Sequence, residues 1–274
     1  MRIAELNQSL VAPLGSIPID PKEIDFLYES ERALYEMPSP KLDEAALAIG
    51  SLVSELISDG NCIQTGIGAI PAAILSQLSN KNDLGMHGGL IDDAGMHLIK
   101  EGNLSGRVKT IDKELHVVGM ALGSQNLYDW LSAQESVVFR GANYTHETSV
   151  ISQIDDFVSI NSALEIDLYG QINAEFTGGR QLSGTGGSVD FMRAAKSSRR
   201  GKSIVAMNAT AKGGSVSRIV PKVELVTALR TDIDVVVTEF GVANLKNLPA
   251  RQRADALIDV AAPEFREELR RLAV

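Results

Sequence analysis

The chain has a single cysteine, Cys62, in 274 residues. One thiol can neither close a disulfide within the chain nor build a cysteine metal cluster, and it points to a reducing compartment. Basic residues are in deficit, with 26 Lys and Arg against 35 Asp and Glu and a net charge of -9. The acidic excess is spread along the chain, so it speaks for solubility and against a nucleic-acid partner, which requires a basic face. No apolar run approaches the roughly 20 residues that span a bilayer. The opening "MRIAELNQSLVAPLG" also lacks a basic segment followed by an apolar one. A cytoplasmic protein with no membrane partner and no metal is expected. Internal repeats and low-complexity linkers are absent as well.

What the chain has is ordinary globular material, 44% hydrophobic and 22% charged, and it is long enough for a well-buried core. Residues 1–42 read as an irregular, proline-containing lead-in. From Asp43 onward one continuous domain, 43–274, is expected. "DEAALAIGSLVSELISDG" carries apolar residues at helical spacing and stops at Asp59-Gly60. "CIQTGIGAI" reads as a short strand running into a glycine turn, and Pro71 suits the first turn of the helix that follows.

The segments "ELHVVGMAL", "ESVVFR", "DFVSI", "ALEIDL", "KSIVAMN" and "DIDVVVTEFG" are short and rich in Val, Ile and Leu, the pattern of strands buried on both faces. Helices are predicted at Gln125–Ala133, Thr148–Ile154, Ser188–Ala195, Arg251–Val260 and Glu264–Leu272. Such alternation predicts an α/β fold with a mainly parallel sheet covered by helices.

Three glycine-rich turns are candidate anion sites. "TGIGAIP" with Gly66 and Gly68, and "SGTGGSVDF" with Gly184, Gly186 and Gly187, each lead into a helix whose first N–H groups favour phosphate or thioester oxygen. Each is equally readable as a tight connection. "ATAKGGSVSRIVP" adds Lys212 and Arg218 beside two glycines, and reads either as a phosphate site or as a solvated hairpin. The basic run "SSRRGK" is a solvated turn or a small anion loop.

"LGMHGGLIDDAG" concentrates His87, Asp92 and Asp93 around Gly88-Gly89. If the segment is extended, His87 and position 89 share a face. His87 then reads as a general base toward water or as a structural histidine.

Several of these segments together resemble the acetyl-CoA hydrolase/transferase family, which includes the class I acetate, succinyl and 4-hydroxybutyrate CoA-transferases. They are "IQTGIGAIPAAIL", "ALGSQNLYDWL", "VSINSALEIDLYGQINAE", "LSGTGGSVDFMRAA", "SRIVP", "VVVTEFGVANL" and "RADALIDVAAPEFREEL", in that order. The resemblance runs from Ile3 almost to Val274. It implies the CoA-transferase fold, an open α/β sheet with helices on both faces, and coenzyme A as part of an acyl-CoA substrate. The thioester would lie against Gly66 and Gly68, Ala121 and Gly123 of "MALGS", Gly184, Gly186 and Gly187, and Lys212.

Two departures accompany it. Family members are about twice as long, which implies a separate subunit equivalent to their N-terminal half and a heteromeric complex, unless the chain is a fragment. The family's segment of the type I-H-T-E-M-F-S-D-G aligns without a gap onto Met86 to Asp93, so that Gly89 stands where the nucleophilic glutamate is expected. In the family that carboxylate attacks the acyl-CoA carbonyl and then holds CoA as an enzyme thioester, and glycine has no atom for either step. His87 and Asp93 fall on positions where the family has those residue types. Asp93 is expected to cap a helix starting near Ala94, Asp92 to be solvated, Glu239 to serve packing or hydrogen bonding, and Cys62 to be buried and inert.

Three functions follow. The first is a subunit that converts an acyl-CoA without a glutamyl-CoA intermediate, by decarboxylation or hydrolysis. The second is an acyl-CoA:carboxylate CoA-transferase whose nucleophile lies elsewhere, and the third is a non-catalytic acyl-CoA-binding or regulatory subunit.

Overall fold

Apolar runs too short for helices pair into one eight-stranded sheet. The computed structural model describes residues 1–9 and 12–273, so Val274, the last residue of the expected domain, lies outside it. The strands of this sheet are β1 (Cys62–Thr65), β2 (Gly85–Ile91), β3 (His116–Ala121), β4 (Val137–Phe139), β5 (Phe157–Asn161), β6 (Lys202–Ala206), β7 (Val235–Thr238) and β8 (Gly241–Asn244). Their order is β8-β7-β6-β5-β1-β2-β3-β4, and all neighbours are parallel except the hairpin β7–β8. The mainly parallel sheet expected from the alternation is therefore present, with helices packed on it.

The helices are α1 (Glu44–Glu55), α2 (Ala69–Ser76), α3 (Asp93–Lys100), α4 (Gln125–Leu131), α5 (Ala142–Thr145), α6 (Thr148–Ile151), α7 (Ser188–Ser197), α8 (Ala250–Asp259) and α9 (Arg266–Leu272). Asp43 caps α1 by accepting from the Ala46 amide at 2.8 Å, where the sequence places the start. Helices α1 to α4 bury Ile49, Val53, Ile74, Leu75, Leu98 and Leu127 against one region of the sheet. Phe191 and Ala194 of α7 join Cys62 and Phe157 in a separate core cluster. A third cluster holds α8 and α9. Among the described residues no helix is long and apolar enough to cross a membrane.

Two expectations fail in detail. Residues 1–42 are not irregular throughout, because Ile3–Asn7 and Phe26–Ser30 pair as a two-stranded parallel ribbon. The apolar run "ALEIDL" does form a strand, Glu165–Asp167. It pairs with Ile172–Asn173 and Ile219–Val220 in a small sheet of its own, because the chain turns back at Gly170.

Two histidines on neighbouring strands of the large sheet, His87 on β2 and His116 on β3, are both fully enclosed. Burial pushes the imidazoles of His87 and His116 down to about 4, with the Lys109 ammonium adding to the effect. The unfolded chain therefore binds more protons than the folded one between pH 6.5 and 4. Stability is full above pH 6.5 and falls as the pH drops through that window, by up to ~2.7 kcal/mol per pH unit where both groups differ fully in charge. Urea unfolding at pH 7 and pH 5 should show the loss. A His87→Gln/His116→Gln variant should show a flatter profile, and an equally steep one would assign the acid sensitivity elsewhere.

Candidate active site

Winding reverses at β1. The chain steps outward through β2, β3 and β4 on one side, then returns to lay β5, β6 and β7 on the other. Beyond the carboxyl ends of the strands at such a reversal, α/β sheets leave a crevice. Gln64 of β1 and Asn161 of β5 span it, the Asn161 side-chain amide donating to Gln64 Oε1 at 3.1 Å. Nearby, Ile67, Ala69, Pro71, Ser162, Asn208 and Arg218 line an open groove of about 230 Å³.

Gly89 lies one strand away, on β2 beyond the level where β1 ends. A Cβ at this position would stand 3.4 Å from His146 Nε2 and 4.0 Å from the Phe191 ring. The imidazole of His146 is thus the group that faces the strand where a side chain at 89 would project. It is half-buried, packs against Phe191 at a centroid distance of 4.6 Å with the ring planes tilted by 42°, and shares a 2.8 Å hydrogen bond between its Nδ1 and Thr145 Oγ1. Gly187, at the start of α7, presses so closely on the ring that a Cβ there would lie 2.4 Å from Nε2. Glycine at 187 is what lets the ring lie here.

The segment "LGMHGGLI" is therefore a central strand, Gly85–Ile91, carrying position 89 to the carboxyl side of the sheet. His87 points to the same side, its ring 6.0 Å from that of Tyr144, but it is sealed from solvent and its ring nitrogens lack hydrogen-bond partners among the described residues. Burial keeps it neutral and out of reach of a substrate.

Neither neighbouring aspartate has the role expected of it: Asp92 takes the cap expected of Asp93 and is not simply solvated, and Asp93 binds Ser124 instead. Asp92 is the cap of α3, accepting from the Gly95 amide at 2.9 Å, and burial raises its carboxyl above the usual range. Asp93 is the first helical residue and accepts from the backbone and hydroxyl of Ser124, at 2.8 and 2.5 Å. The helix starts one residue earlier than expected because an extended residue, Asp92, sits at the end of β2.

The glycines separate into two groups. At Gly66, Gly68, Gly184 and Gly186 a side chain would meet open space, so their backbone is accessible at the carboxyl edge. Gly123, at the end of "MALGS", is closed, because the Asp93 carboxylate and Leu127 fill the room a Cβ would need. Ala121 ends β3 next to the half-exposed Met120. Lys212 begins the exposed tip of an antiparallel hairpin, Thr210–Ala211 with Val216–Ser217.

Arg218 donates to the carbonyls of Leu164 and Ala163. Glu239 accepts from the Ala209 amide at 2.8 Å, the hydrogen-bonding role expected of it. Cys62 is buried, which pushes its thiol up to about 11 and leaves it inert at neutral pH. In "SSRRGK", Arg199 and Arg200 pair with Asp155 and Asp156.

His146 has no local signature. It lies 57 positions beyond Gly89, in "NYTHET", and only the return of the chain after β4 brings the two together.

Comparison with known proteins agrees with this architecture. Residues 123–273 match the family described as acetyl-CoA hydrolase/transferase C-terminal domain. The 4-hydroxybutyrate coenzyme A transferase of Clostridium kluyveri is 43% identical over 270 residues, covering 97% of this chain and 63% of that protein. The acetyl-CoA hydrolase of Neurospora crassa is 28% identical over 261 residues, covering 90% and 48%. Among solved structures, RipA from Yersinia pestis superposes with a TM-score of 0.91 at 36% identity, over 99% of this chain and 62% of that one. The chain thus spans about three fifths of the length of the Clostridium protein and of RipA, more than the half that the resemblance implied.

Proposed function

The chain belongs to the acetyl-CoA hydrolase/transferase family, and from that premise we propose that it binds an acyl-CoA thioester at the carboxyl edge of its sheet and hydrolyses it without a covalent enzyme–CoA intermediate. The observation that carries this reading is Gly89. Where the resemblance sets a nucleophilic glutamate, the strand offers only backbone, and the nearest side-chain atoms are those of His146 and Phe191. An imidazole and an aromatic ring suit water activation beside an acyl group, and neither can hold CoA as a glutamyl thioester.

The open backbone at Gly66, Gly68, Gly184 and Gly186 supports CoA binding from two sides of the crevice. In this reading coenzyme A is part of the substrate and no metal takes part. A further body, equivalent to the rest of the longer relatives, covers the thioester. The apolar side chains left bare on the parallel ribbon support it: Ile3, Leu6, Phe26, Leu27 and Tyr28 are each at least half exposed.

The test measures thiol release from acetyl-CoA, butyryl-CoA and succinyl-CoA by the purified native complex, with and without acetate. Release that is independent of acetate is expected. Acetate-dependent exchange without net thiol would restore the transferase reading. Inertness toward every thioester, with retained CoA binding, would leave a binding subunit.

A further inference from the structure

We propose that His146 is the general base that delivers water to the thioester over Gly89, an assignment that rests on the hydrolytic reading above and names the group that carries it out. Of the four histidines, His87 and His116 are enclosed in the sheet and His97 is exposed on α3. His146 alone is half-buried at the carboxyl side and aimed at position 89.

Its orientation is held from three sides. Phe191 packs against the ring at 4.6 Å, tilted to it, Gly187 closes on it with backbone only, and Thr145 engages Nδ1 at 2.8 Å. The Thr145 hydroxyl also reaches the Gly141 carbonyl, at 3.4 Å. In the tautomer the proposal requires, the hydroxyl donates to Gly141, Thr145 Oγ1 accepts from Nδ1–H, and Nε2 carries the lone pair. No group among the described residues donates to Nε2. With no side chain at 89, Nε2 faces bare strand backbone, 3.4 Å from the point where a Cβ would stand, and water held over the strand is the group it serves.

The step balances without a co-reactant. Water attacks the thioester carbonyl carbon as its proton passes to His146 Nε2, and the carbonyl becomes an oxyanion. Collapse of the tetrahedral species re-forms the C=O bond and breaks the C–S bond. The departing sulfur takes the proton from the imidazolium, leaving CoA thiol, the carboxylic acid and a neutral His146 for the next turnover. No carboxylate is acylated, so the cycle has no use for a side chain at 89.

Three enzymes settle the matter: the wild-type complex, His146→Gln and His146→Ala, each assayed for thiol release from acetyl-CoA, with circular dichroism to verify folding. The Gln variant keeps a polar group of similar reach and should retain the wild-type KM within about threefold. Its kcat should fall by ~10²- to 10⁴-fold, the usual contribution of a positioned general base. Free imidazole should restore part of the rate of the Ala variant, which no packing role would allow. If the wild type hydrolyses acetyl-CoA and folded His146 variants keep a kcat within threefold of it, the assignment is overturned while the hydrolytic reading stands. If the wild type releases no thiol from acetyl-CoA, butyryl-CoA or succinyl-CoA, the hydrolytic reading fails and the base with it.

Discussion

Replacing Gly89 with glutamate removes thioester hydrolysis, by a factor of 10² or more, without producing exchange activity. A Cβ at 89 already stands 3.4 Å from His146 Nε2, and the remaining atoms of the side chain must run past the imidazole and Phe191. A carboxylate placed there pairs with the ring and fills the space in which water would approach the thioester. Steady-state thiol release checks the loss, and hydroxylamine sensitivity of an acyl-enzyme checks for the transferase intermediate. Appearance of that intermediate with acetate-dependent exchange would mean that the site had kept the transferase arrangement and merely lost its nucleophile. That result would return the chain to the chemistry named for its longer relatives.

The second large effect concerns stability. Arg253 is 5% exposed on α8 and donates to three backbone carbonyls from three separate segments: Tyr169 at 2.8 Å, Leu245 at 2.8 Å and Arg230 at 2.7 Å. Gly170, with φ of +90°, lies so close to the guanidinium that any side chain there would strike it. Arg253→Met keeps most of the apolar stem but leaves three carbonyls without their donors, that of Leu245 in a fully buried position. A loss of about 3–5 kcal/mol is expected. For a chain of this size that corresponds to a midpoint lower by roughly 10 °C. Arg253→Lys should recover only part, because an ammonium lacks the planar fork that reaches three directions at once. Thermal and urea unfolding measure both variants, and a Met variant within 1 kcal/mol of wild type would show that the carbonyls find other donors.

Much of the framework was legible from residue pattern alone. Short Val- and Ile-rich runs gave β3 to β7 because parallel strands covered on both faces favour apolar residues, and β1 was read from the glycine turn that follows it. The strand that matters most was harder to read. β2 contains Gly85, Gly88 and Gly89, residues of low strand propensity, and it is held by its neighbours rather than by its own side chains. Capping was misplaced by one residue because Asp92 and Asp93 are chemically alike, and only the backbone at the end of β2 decides between them.

The candidate site was half legible. Gly89 stood out against the family pattern, whereas His146 did not, since a histidine in a loop carries no periodicity. Arg253 was hidden for a similar reason: in "RQRADAL" it reads as one more charge on an amphipathic helix, and its three acceptors come from elsewhere in the chain.

The junction between β1 and β5 has a bearing on how the molecule is assembled. Gln64 and Asn161 meet across 97 positions of sequence. Closing so long a loop costs entropy before any contact compensates it, which places the chain among slow-folding topologies. Gly89 comes from the first half of the sheet, while Phe191 and Gly187 arrive only with α7 after the second half has begun. The surroundings of His146 are therefore incomplete until residues near 200 have been made and docked. On the hydrolytic reading proposed above, water activation belongs to the finished protein alone.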